Sequence, residues 1–372
     1  MKHRKKWAIF VGILIILAIF IFSWIDGLTF MGVRTVSAGG IEDLIAGKQQ
    51  VVRSDILDEL LYFNGDKAAF DKDENTFYIG QSQKHSIFEG TISCPDEATR
   101  IYIVSDDYMK LKKESLAESH SFQLYFVAED YYTKANLVFV GSSIMSLKLD
   151  DGMTFDPATE RIAYKVQVYA PDDQEMNYYT IKNTQAAVRY TATDGRISLR
   201  IYNKEYTDTK QLSLLGMTKT SNWSLYPVSD TELTGSRLAG YVWNSLCSAS
   251  GDSNYESESG YVEVFINNSY QGLYLLGRAV SDRNLYLTAG DYLYQCKTDA
   301  YPTADNGYYG YEAKFPVDDT MSFEPLTAYA DVFTGKQPVD ILDQDNFISY
   351  DFFTQITCSV KSGSQYKYLN VI

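Results

Sequence analysis

Over much of its first half the chain alternates apolar and polar positions. Between Tyr62 and Tyr179, the segments NTFYIG, RIYIVSDD, SFQLYFVAED, ANLVFVG, SIMSLKL and AYKVQVYA carry the two-residue period that places alternate side chains on one face of a strand. Turn-forming Asp, Asn and Gly separate them every eight to fifteen residues or so, the rhythm of an antiparallel sandwich. One short helix is expected around Asp55–Leu61, and the whole reads as a β-rich domain over 41–180.

The second half mixes periods. ISLRIYN (197–203) reads as a strand, and Thr234–Leu246 as a helix with Leu238, Tyr241, Val242 and Ser245 near one face. YVEVFINNSYQGLYLLGR (261–278) reads as a hairpin. Val262, Val264 and Ile266 face one way, and Asn267-Asn268 can take the positive φ of a tight turn. Gly272 suits a close backbone approach, and Glu263, on the face opposite the valines, could pair with Arg or Lys. Leu326, Tyr329 and Val332 after Pro325 suggest a helix, as do Ile348, Phe352 and Ile356 with Asp345 as N-cap. Strands followed by helices in this order predict an α+β domain over 181–372.

A different pattern opens the chain. MKHRKK is followed by Trp7 to Ile25, which has no charged residue. As a helix it would span roughly 28 Å, close to the bilayer core, with Trp7 and Trp24 at the interfaces. A cleaved signal peptide is the rival reading, through the small residues Val36-Ser37-Ala38. That site lies well past an apolar run longer than the usual signal core, so an uncleaved anchor is preferred. The basic flank puts residues 1–6 in the cytoplasm and the bulk outside, behind a stalk at 26–40.

Charge narrows the partners. Setting aside Lys2, Arg4, Lys5 and Lys6 takes the formal charge from −15 to −19, which disfavours nucleic acid and anionic lipid. The 31 tyrosines suit half-buried strands with amphipathic side chains at their surface. Cys94, Cys247, Cys296 and Cys358 lie far apart, and their spacing selects no disulfide pairing. The three histidines form no zinc-like interval. DKDENT (71–76) opens like a calcium loop, but Thr76 and Ser82 replace the required Gly and Glu, so a solvated hairpin turn is expected. YMKLKKESLAESH reads as a surface loop or short exposed helix.

Four ordered stretches resemble the CotH kinase family, the spore-coat-associated atypical kinases of bacteria, over roughly 185–372. They are YNKEYTDTKQLSLLGMTKTSNWSLYPVSD (202–230), GSRLAGYVWNSL (235–246), YVEVFINNSYQGLYLL (261–276) and GYEAKFPVDD (310–319). The resemblance implies an ATP-dependent phosphoryl transferase using Mg or Mn. Its matching positions, as nucleotide- or phosphate-binding candidates, are Arg196, Trp223, Asp230, Arg237, Glu263, Glu312 and Lys314. The implied fold class is an N-terminal transmembrane helix, then an all-β, sandwich-like domain and an α+β domain resembling part of an atypical protein-kinase fold.

Phosphoryl transfer needs a Lys on the nucleotide phosphates, acids on the metal and an Asp near the substrate hydroxyl. The family's Pro-Lys-Lys-Ser is TDGR here, with Arg196 the nearest cation, and the upstream Arg-Gly is Arg189-Tyr190. Thr-Glu after the hairpin becomes Gly277-Arg278, Lys361-Ser362 stand where the catalytic Asp is expected, and the metal-binding Trp-Asp-x-Asp has no counterpart before Ile372. No catalytic or metal residue is assigned. A partial lobe would also expose apolar side chains of 345–356 unless a partner covers them.

The leading expectation is therefore a membrane-anchored, extracytoplasmic, degenerate CotH-like protein, an interaction module bound to the membrane through 7–25 and to another envelope or spore-coat protein. The alternatives are an active CotH-type kinase and an unrelated β-rich envelope binding protein.

Overall fold

The computed structural model describes residues 29–51, 57–80, 90–104, 121–155, 160–170, 179–229, 235–250, 257–296, 303–340 and 367–371, apart from 283, 304, 306, 317, 319 and 339. The expected membrane span at 7–25 and the helix at 345–356 lie outside these residues. Among the described residues no helix is long and apolar enough to cross a membrane.

In chain order, the first elements are β1 (Thr29–Phe30), β2 (Val33–Val36), helix α1 (Ala38–Ile45), β3 (Gln49–Gln50), β4 (Tyr62–Phe63) and β5 (Asp66–Lys67). Next come β6 (Ala69–Asp71), β7 (Thr76–Gly80), β8 (Ile92–Ser93), β9 (Arg100–Val104), β10 (Ser121–Val127) and β11 (Tyr131–Val140). Long strands follow: β12 (Ser143–Thr154), β13 (Ile162–Tyr169), β14 (Tyr179–Thr191), β15 (Arg196–Ile201) and β16 (Asn222–Pro227). The remainder comprises α2 (Gly235–Ser250), β17 (Ser259–Ile266), β18 (Ser269–Arg278), β19 (Tyr292–Cys296), β20 (Tyr311–Phe315), α3 (Glu324–Phe333) and β21 (Lys367–Val371).

Two compact units result: Met1–Ala186 with Tyr261–Tyr274, and Ala187–Gly260 with Leu275–Ile372. In the first, a sheet runs β1-β2-β9-β10-β11-β7-β6, with β3 added beside β11. The pairing is mixed, because β2–β9 and β11–β7 are parallel while β9–β10–β11 is antiparallel. Its core sets the tilted rings of Phe70 and Phe77 at 4.7 Å and of Phe77 and Phe126 at 5.8 Å, all essentially inaccessible. Each such ring contributes about 1.5–3 kcal/mol by burial. Ile144, Tyr169 and Phe265 join this core from β12, β13 and β17.

Residues expected to be a stalk instead supply β1, β2 and the start of α1, whose N-cap Ser37 accepts a bond from Gly40 N at 3.1 Å. DKDENT folds as the β6–β7 hairpin with Asn75 at φ 47°.

Seven strands close a barrel in the order β12-β13-β14-β15-β16-β18-β17. The closing pair, β12 with β17, is parallel and runs from Ser143↔Val262 to Leu147↔Ile266. The three-stranded sheet β20-β19-β21 lies in the second unit, with Tyr294 of β19 donating to Ser322 O at 2.5 Å.

These findings overturn the expected fold class. The protein is mostly β, with a closed seven-stranded barrel, and only three helices of eight residues or more occur among the described residues. A sandwich followed by an α+β kinase-like domain is thus incorrect. The strands read from alternation are present, but β1, β2, β14 and β16 were not among them, and periodicity carries no information about partners. The strands of 196–278 close a barrel with β12, β13 and β14 instead of building a sheet of their own. The expected boundary at 180 falls inside the continuous strand β14.

Candidate functional site

The β17–β18 hairpin carries the most specific of the sequence matches. Its turn residues Asn267 and Asn268 sit at φ 50° and 61°, the left-handed pair that asparagine tolerates and that matches strand twist. The turn is anchored within the first unit: Asn267 N donates to Leu147 O at 2.8 Å, and Leu149 N donates to Asn267 Oδ1 at 2.8 Å. Lys72 N donates to Asn268 O at 2.8 Å, and Ser269 Oγ to Asp73 Oδ2 at 2.6 Å. Gly272, expected to permit a close approach, has no neighbour within 4 Å of where a Cβ would stand. Its φ of 104° is what requires glycine.

Glu263 is 8% exposed, and its neighbours Val262, Val264 and Phe265 are buried as well, so both faces of β17 are covered. Its carboxylate meets no Arg or Lys among the described residues. Instead Ser142 Oγ donates to Oε1 at 2.9 Å and the Tyr270 hydroxyl to Oε2 at 2.5 Å. Tyr270 stacks on Tyr78 at 5.2 Å, and Phe265 packs against both rings. Burial, then the bond and charge of Glu263, push the Tyr270 phenol far above its ordinary range. Burial, with Asp71 and Glu263 nearby, raises Tyr78 also. These phenols are therefore donors at neutral pH, not bases. Asp71, 3% exposed, accepts from Asp73 N at 3.1 Å and Tyr270 N at 3.4 Å.

The open end of the hairpin lies in the second unit. Arg278 Nη1 donates to Glu258 Oε2 at 3.2 Å, and Nη2 to Asn284 O at 3.0 Å. Glu258 also accepts from Thr218 N, at 3.1 Å to each oxygen. Asn284, 8% exposed, takes the Thr220 hydroxyl at 2.7 Å. Gly277 fits because a Cβ there would lie 3.3 Å from Glu258 O. The Gly277-Arg278 departure from the family pattern is thus the closure of the hairpin's own ends. Counting outward from Asn267-Asn268 puts Glu258 and Arg278 nearly opposite each other, a signal that sequence reasoning missed.

The other candidates do not converge. Glu263 belongs to the first unit, while Arg196, Trp223, Arg237, Glu312 and Lys314 belong to the second. Asp230 lies outside the described residues. Arg196 and Trp223 occupy paired strands, but Leu199 is the partner of Trp223, and Arg196 faces the opposite side of β15. Trp223 is fully buried. Arg237 is on the exposed surface of α2. Glu312 and Lys314, two apart on β20, form an ion pair with each other. No group of three or more His, Cys, Asp or Glu able to hold a metal occurs among the described residues.

The class that fold and site define is a mostly β protein with a closed barrel and a hairpin locked by two internal polar clusters. No protein-family model matches the chain, and no curated protein matches it.

Proposed function

We propose that this is a membrane-anchored, extracytoplasmic interaction module of the cell envelope or spore coat, related to the CotH kinases in sequence but without phosphotransfer. One observation carries the reading. Side chains on and after the hairpin that a phosphotransferase would turn toward nucleotide are committed to partners within the protein. Glu263 is held by Ser142 and Tyr270, Arg278 by Glu258 and Asn284, and Glu312 by Lys314. A carboxylate already accepting two hydrogen bonds in a buried place is poorly placed to bind metal. Exposed Tyr241, Tyr286 and Tyr309 offer the amphipathic contact area enriched at protein interfaces.

The test is incubation of the full chain with labelled ATP and Mg²⁺ or Mn²⁺. The expected result is no phosphate transfer to the chain or to added acceptor proteins and no ATP turnover. Transfer that disappears when Asp230 is changed to Asn would overturn the reading in favour of an active kinase.

A further inference from the structure

We draw no further inference here: the strongest candidate, the exposed face of helix α2 around Leu238 and Tyr241 in the second unit, is an apolar surface for which nothing among the described residues shows what covers it.

Discussion

Tyr270 donates its phenolic hydrogen to the buried carboxylate of Glu263 at 2.5 Å, from the facing strand of the same hairpin. Removing that hydroxyl in Tyr270→Phe leaves Glu263 with Ser142 as its only described donor. An under-satisfied buried carboxylate costs about 1–3 kcal/mol. Urea unfolding should show that loss. Glu263→Gln should then lose less in the Tyr270→Phe background than in wild type, because the two residues are coupled. Additive losses would mean that the bond contributes nothing.

Alkaline stability follows from the same phenol. Folding raises the Tyr270 pKa, and that of Tyr169, which burial pushes well above the ordinary tyrosine range while its hydroxyl donates to Lys67 O. A raised folded-state pKa means that the unfolded chain releases the proton first. The contribution is complete below the unfolded value, about pH 10, and declines as pH rises beyond it. Stability should therefore fall steeply above about pH 10, and more gently in Tyr270→Phe and Tyr169→Phe. Equal slopes in all three proteins would contradict the assignment.

Strand positions were largely legible because the β7, β9, β10, β11 and β13 segments alternate openly in the sequence. The left-handed Asn267-Asn268 turn was legible as well, through the backbone tolerance of asparagine. The partners were not. Ser143 meets Val262 across more than a hundred residues, a pairing that local pattern cannot encode. Glu263 was read as facing away from Val262 and Val264, with Arg or Lys as its partner. Phe265 instead joins the first unit's core while Val262 and Val264 face the other way, so every position around Glu263 is covered.

Arg278 offers a test of the hairpin's open end. Arg278→Ala removes the ion pair with Glu258 and the bond to Asn284 O, for a loss of about 1–2 kcal/mol given partial exposure. Arg278→Glu, the residue type the family pattern carries after the hairpin, should cost more because it sets two carboxylates together. Chemical denaturation of Glu258→Arg/Arg278→Glu should then recover part of the loss. No recovery would show that the pair acts only through its backbone contacts.

Helix α2 reverses an expectation, and so gives the sharpest test of the fold. Periodicity placed Leu238, Tyr241, Val242 and Ser245 near one face of the helix, and of these only Val242 is half-buried. Leu238 is 60% and Tyr241 72% exposed, and Ser245 is exposed with its hydroxyl donating to Tyr241 O at 2.9 Å. Cys247 is the fully covered position, so the inward face is rotated from the expected one. Since little apolar area leaves water at Leu238 or Tyr241, replacing either with Lys should change unfolding free energy by less than about 0.5 kcal/mol. A core-facing stripe would instead lose several kcal/mol on either change, through burial of an unpaired charge. Denaturation midpoints of the two Lys variants separate these outcomes, because no intermediate arrangement of one helix face leaves both positions tolerant and buried.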